Sequence, residues 1–357
     1  MKPRTAADFK TAHDPATIIA QLKQELTEAK SQAATAECVR EWIGAARLEL
    51  ASVSIPEWVT KPRKKGSAPG VPTVQLSDFH WGERVKPAQV GGVNAFNMEI
   101  ARKRLRHVVG SAVKVAGIWS PAMDYPGVVA ALLGDMVSGN LHDELTATNE
   151  MNTMPVVLDL YRELVAAIRV LADAFGRVFL PCVSGNHGRD TKKTWAKDRN
   201  HTSFDWLLYQ FLAMAFADDK RVTFLIPEGS DALYKVFGIA YLATHGDQFK
   251  ASDSIIGAIG PITRGAQKKL ARNTAMDQAF DVMIFGHWHQ RIISPQLRGN
   301  SSLKGLDEYA YQGNFRYEPP TQNFWMTHPD NGITFDAPLF ADDNEKGNRT
   351  EWVSVPA

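Results

Sequence analysis

The sequence predicts an α/β domain preceded by an N-terminal helical extension. Three observations carry that expectation. From residue 71 onward, short apolar runs alternate with longer amphipathic stretches. Most of those apolar runs stop at a Gly, Asp, Asn or His. The first sixty residues follow a different, helical pattern. A length of 357 residues suits two domains, or one large domain with an extension. An apolar fraction of 44% and a charged fraction of 22% are those of a globular chain, which excludes a disordered, collagen-like or disulfide-stapled protein. Forty basic residues against thirty-nine acidic ones leave no global field for a polyanion, so any such attraction has to come from local clusters.

The elements follow in order. Asp14-Pro15 is an N-cap with proline at the first helical position, and Ile18, Ile19, Leu22 and Leu26, then Val39, Trp42, Ile43 and Ala46, recur at helical spacing. Residues 1–60 therefore read as a helical extension whose apolar stripe packs on the main domain or drives self-association. Residues 61–72, rich in Lys, Pro, Gly and Ser, read as a linker. The domain proper is expected over 73–340, with a tail over 341–357. Its strands are expected from Val71 to Asp78, Val128 to Asp135, Arg177 to Val183 and Asp281 to Phe285, with a hairpin over Tyr234–Thr244 around Gly238. Helices are expected over Ala95–Ile118, Met154–Phe175, Ser203–Phe216 and most of Ile255–Met276. Leu303 to Phe335 has strand character, with turns at Gly313-Asn314 and Asn331-Gly332.

The two cysteines, Cys38 and Cys182, are too few for a framework, and Cys182 lies in an apolar run that favours a buried, reduced thiol. Met1-Lys2-Pro3-Arg4 leads into polar sequence, and no stretch reaches the ~18 apolar residues of a span, so a cytoplasmic protein with no membrane partner is expected.

In open α/β sheets, sites lie beyond the carboxyl ends of the strands, so the polar residues that end these strands should converge. Five segments supply them: Asp78-Phe79-His80, Gly134-Asp135, Gly185-Asn186-His187, His245-Gly246-Asp247 and Gly286-His287-Trp288-His289. With Asp247 read as a loop or cap residue, the two carboxylates Asp78 and Asp135, an amide oxygen and several imidazoles are hard or borderline ligands that suit Mn²⁺, Fe, Zn²⁺ or Ni²⁺, and the absence of thiolate argues against a structural zinc site. On extended chain, the two-residue spacing of D-x-H and H-x-H would put both side chains on one side.

Taken together and in this order, the five motifs resemble the calcineurin-like metallophosphoesterase superfamily over roughly residues 71–335. The resemblance implies a β-sandwich flanked by helices on both sides. It implies one divalent ion on Asp78, His80 and His289, a second on Asn186, His245 and His287, and Asp135 bridging the two, with Mn²⁺ the leading candidate metal. It places His187 at the scissile phosphate. In such a site a shared hydroxide attacks phosphorus in line while the ions neutralise its oxygens.

One departure stands out. The residue after G-N-H, usually acidic, is Gly188, followed by Arg189 and Asp190. Asp190 is the candidate to hold His187 instead, and Arg189 a candidate phosphate contact. His142, a few residues past Asp135, is a further candidate to face substrate. Trp81 and Trp288 either pack around the site or stack on a base.

Basic residues cluster after two motifs: Arg189, Lys192, Lys193, Lys197 and Arg199 around Trp195, and Arg264, Lys268, Lys269 and Arg272. They are either a solvated face or an electropositive rim for nucleic acid. The leading expectation is a metal-dependent phosphodiesterase of the nuclease kind, similar to the DNA-repair exonuclease branch. The alternative is a phosphomonoesterase or a cyclic-nucleotide or other small-molecule phosphodiesterase. The Ser/Thr phosphatase pattern fits poorly, because Gly134-Asp135-Met136-Val137-Ser138-Gly139 lacks its second acid and arginine. A dead scaffold of the same fold would have lost ligands, and none is lost.

Overall fold

The structure, a computed structural model, describes residues 56–60, 70–250 and 257–342, together with Lys23. The chain divides into two compact units, Met1–Ser52 and Val53–Ala357, and the second carries everything below. The helical reading of residues 14–46, the self-association that depends on it, Cys38 and the tail from 343 lie outside the described residues.

Eleven strands among the described residues form two sheets. The first has the order β11-β10-β1-β2-β3-β4, with β1 Val71–Leu76, β2 Val128–Leu132, β3 Val178–Pro181, β4 Val222–Leu225, β10 Thr321–His328 and β11 Gly332–Phe340. β1 to β4 run parallel, and β10 closes on β1 antiparallel with Val74 opposite Phe324. The second has the order β5-β6-β7-β9-β8, with β5 Asp231–Val236, β6 Ile239–Thr244, β7 Val282–Phe285, β8 Ile292–Ile293 and β9 Leu297–Gly299.

Period-2 burial explains how the sheets stack. Val129, Ala131 and Leu133 of one sheet meet Tyr241, Ala243 and Ile284 of the other in an inner core, while Val128, Ala130 and Leu132 face the opposite way. That outer face is covered by three helices, α1 Met98–Trp119, α2 Thr153–Phe175 and α3 Phe204–Ala215. α2 presents Val156, Leu160, Leu164, Ile168 and Leu171 at spacings of three and four, each worth about 1.5–3 kcal/mol when fully buried. Ala240, Leu242, Met283 and Phe285 face outward from the second sheet onto α4, Ile259–Thr274. The second unit is thus a two-sheet sandwich with helices on both sides, as expected. No helix among the described residues is long and apolar enough to cross a membrane.

Four expectations shift. Residues 71 and 72, counted both in the linker and in the first strand, belong to the strand: Val71 and Pro72 are the buried first residues of β1. Val59, read as part of the extension, is buried in the inner core, and its carbonyl accepts from Phe237 N. β4 and the short β8–β9 pair were not anticipated, since four or fewer residues carry little periodicity. The Leu303–Pro320 stretch is loop with one short helix, Glu308–Gln312, because Arg104 and Asn94 bind its carbonyls where a ladder would. The turn at Asn331-Gly332 does join β10 to β11. Cys182 is buried and unpaired with any other cysteine, and burial pushes its thiol up, so it stays protonated.

Candidate metal centre

The five motifs meet at the carboxyl ends of β1, β2, β3, β6 and β7. Three overlapping groups form, each with ligand atoms within 4.8 Å of one another: Asp78, His80 and His289; His80, Asp135 and His187; and Asp135, His245 and His287. His80 Nε2 lies 3.1 Å from His289 Nε2, which is 3.4 Å from Asp78 Oδ1. His245 Nε2 lies 3.0 Å from Asp135 Oδ2 and 3.2 Å from Asn186 Oδ1. Imidazole nitrogens aimed at each other and at carboxylate oxygens form a donor set that a cation satisfies, so the residues fit divalent metal.

The backbone does this by a route other than extended chain. Asp78, His80, Asp135, His287 and His289 all have φ between 47° and 68°, in the left-handed region that costs a non-glycine residue roughly 1–3 kcal/mol. His287 and His289 consequently serve different groups. Interlocking bonds hold these turns. His287 N donates to Asp78 Oδ1 (2.8 Å), His187 N to Asp135 Oδ1 (2.7 Å), His80 N to Asp135 O (3.0 Å), and Ser77 Oγ to Asp78 Oδ2. Gly185 is required because a Cβ there would overlap the Asp135 carboxylate.

Asp78, His80, Asp135 and His245 form a buried floor, whereas Asn186, His187, His287 and His289 are half-buried and open the site on one side. Burial, reinforced by Lys304, holds His80 well below its usual pKa, and burial with His245 pushes His287 down to about 4. Burial would lower His245 too, but Asp135 opposite outweighs it and holds its pKa at about 10, while His245 keeps Asp135 ionised. His245 Nδ1 donates to Leu133 O at 2.8 Å, which turns Nε2 toward the centre.

His187 is held differently from the expectation. Its Nδ1 lies 3.2 Å from Ser138 O, so a main-chain carbonyl occupies the post assigned to Asp190. Asp190 is exposed and its N–H donates to Thr202 O. Arg189 spends guanidinium donors on the carbonyls of Asn186 (2.7 Å), Thr191 and Lys192, so it braces the loop that carries Asn186 and is not presented as a free phosphate fork. His142 is exposed, and its carbonyl accepts from Thr146 at the start of a short helix. Trp81 is buried with Nε1 on Asp159 (2.8 Å), and Trp288 packs against the outer core of the second sheet, so both are packing residues.

The basic clusters divide as well. Arg199 pairs with Asp247, and Lys269 and Arg272 pair with Asp231. Lys192, Lys193, Trp195 and Lys197 stand exposed on the loop after His187, and Lys268 is exposed on α4.

Two groups beside the site escaped sequence reasoning. Asp205, on the first turn of α3, is wholly buried, and burial with the nearby Asp135 pushes its carboxyl up to about 6. Lys304 is buried behind His80, bonded to Glu83 (2.9 and 3.1 Å) and to Asp307. Burial would raise Asp307, but Lys304 outweighs it and brings the carboxyl from 3.8 down to about 2. Its folded pKa is depressed, so its stabilisation is complete above pH ~4 and disappears as pH falls through about 2, a loss of ~2 kcal/mol. Thermal unfolding midpoints measured from pH 5 to 2 should fall less steeply in Asp307→Asn than in the parent chain, and equal slopes would contradict this linkage.

Two packed sheets, helices outside and five strand-end motifs meeting at one edge are the arrangement that the calcineurin-like metallophosphoesterase resemblance implies. No family model and no curated protein matches the chain. Solved structures similar to it include Vps29 of Entamoeba histolytica complexed with zinc, at 10% identity over 75% of this chain and 99% of that one, with a TM-score of 0.29. Others are a Streptococcus pneumoniae protein described as a predicted phosphoesterase (9% identity, 76% of this chain, 99% of that one, TM-score 0.28) and the sulfate thiohydrolase SoxB of Thermus thermophilus (10%, 78% and 58%, TM-score 0.32).

Proposed function

We propose that the protein is a calcineurin-like metallophosphoesterase that hydrolyses phosphodiesters, with nucleic acid as its substrate class. The observation that carries this reading is the convergence of seven metal-type donors from five strand ends, most of them on strained backbone. Asp78, His80 and His289 would hold one divalent ion, Asn186, His245 and His287 a second, and Asp135 both. Such ions would supply a coordinated water whose pKa is lowered toward neutrality and positive charge for the phosphate oxygens; Mn²⁺ is the first candidate, then Fe, Zn²⁺ or Ni²⁺.

The chain's own groups do the rest. The buried floor keeps bulk water from behind the ligands, and the half-buried side admits a phosphate. His187 Nδ1 is committed to Ser138 O, so Nε2 is left to exchange a proton with the phosphate or the leaving oxygen. The exposed Lys192, Lys193 and Lys197 around Trp195 would track a polyanion past the site.

A Mn²⁺-supplemented screen of single-stranded and duplex DNA, RNA, cyclic nucleotides and p-nitrophenyl phosphate esters tests the substrate class. Changing Lys192, Lys193 and Lys197 together to Ala should slow oligonucleotide cleavage and flatten its salt dependence by roughly 0.7–0.9 in slope per lost phosphate contact. Bis-p-nitrophenyl phosphate should be cleaved as before. Equal rates on oligonucleotides would overturn the polyanion reading in favour of a phosphomonoesterase or small-molecule phosphodiesterase.

A further inference from the structure

The geometry points to Asp205 as the positioning residue of this centre, the carboxylate that locks the two loops carrying Asp135 and Asn186 to each other. Asp205 Oδ2 accepts from Asp135 N and from Gly185 N, both at 2.9 Å, and Oδ1 accepts from Met136 N at 3.2 Å. One side chain thus ties the β2 turn to the β3 turn through the amides beside their chemical residues. Asp205 itself is fixed. It is 0% exposed, it sits two residues past the Ser203 cap, and its own N–H bonds Ser203 Oγ. α3 is fastened to the same loop at two further points: Phe204 N donates to Gly188 O (2.7 Å), and Tyr209 Oη donates to Val183 O (3.1 Å).

This arrangement also accounts for the glycine after His187. A Cβ at Gly188 would lie 2.9 Å from Asp205 Oδ1 and 3.2 Å from its Cγ, so the space beside residue 188 already holds a carboxylate delivered by α3. Any side chain at 188 would push that carboxylate off the amides. Asp205 touches neither substrate nor ion in this scheme. It acts through Asp135 and Asn186, as outer-shell carboxylates do when they fix ligand orientation.

The inference rests on the two-ion reading above, and Mn²⁺ titration of the full chain by calorimetry separates the two. Asp205→Asn can accept on one atom only, so at least one of the three amide bonds is lost. The ion held by Asn186, His245 and His287 with Asp135 depends on both tied loops, and its affinity should fall by roughly 10- to 100-fold; the ion held by Asp78, His80 and His289 shares only Asp135 and should lose less. Gly188→Ala keeps the carboxylate but crowds it, and should produce the same selective loss in smaller measure; it decides the matter where Asp205→Asn does not fold. Two ions bound with parental affinity in the folded variants would overturn the role of Asp205 and leave the centre standing. An equal loss at both ions would make Asp205 a general structural residue and overturn its positioning role. No ion bound by the parent chain would instead overturn the centre itself, and with it the role of Asp205.

Discussion

Asp135→Asn should lower turnover of bis-p-nitrophenyl phosphate by roughly 10³-fold or more, the scale seen when one member of a group that acts as a unit is removed. Asp135 is the carboxylate shared by two of the three ligand groups, so in the proposed centre its charge would serve both ions. The amide retains an oxygen for His187 N, so the turn is kept while the charge is lost. His245 loses the partner 3.0 Å away that holds its proton, and its pKa should fall from about 10. Steady-state rates at saturating Mn²⁺, with metal stoichiometry measured alongside, check the expectation. A rate within tenfold of the parent would show that Asp135 bridges nothing.

His187→Ala should lower turnover by roughly 10²–10⁴-fold, the contribution of an acid–base group, while both ions remain. His187 is half-buried at the open side with its ring 4.5 Å from that of His80, and burial holds its pKa below the usual value. With Nδ1–H on Ser138 O, Nε2 is the nitrogen left to take up a proton and pass it to the leaving oxygen. Asp190→Ala should have little effect, because the Ser138 carbonyl already fixes the ring. His187 also offers a ring nitrogen to the group it forms with His80 and Asp135. Loss of one ion in His187→Ala would therefore show that it is a ligand and would remove its proton-transfer role.

Much of this was legible in the sequence, for physical reasons. Long helices such as α2 announce themselves by period, and strand ends carrying Asp, Asn and His announce a site because a buried sheet has no other use for them there. What was hidden lay in two kinds of feature. Main-chain partners have no letter: the Ser138 carbonyl that orients His187 and the left-handed turns at Asp78 and His289 cannot be read from residue types. Long-range polar partners look ordinary. Asp205 reads as a helix-start residue, and Lys304 as one basic residue among forty. Arg189 shows the converse error, since an arginine beside a phosphate motif suggests a phosphate contact until its donors are found on its own loop. Lys269 and Arg272 were equally misleading, being paired with Asp231.

The central claim is a centre for two ions, and equilibrium dialysis against Mn²⁺ followed by elemental analysis tests it most directly. The account predicts two ions per chain, with bis-p-nitrophenyl phosphate hydrolysis abolished by EDTA and restored by Mn²⁺. A stoichiometry near zero, with hydrolysis surviving EDTA, would contradict it.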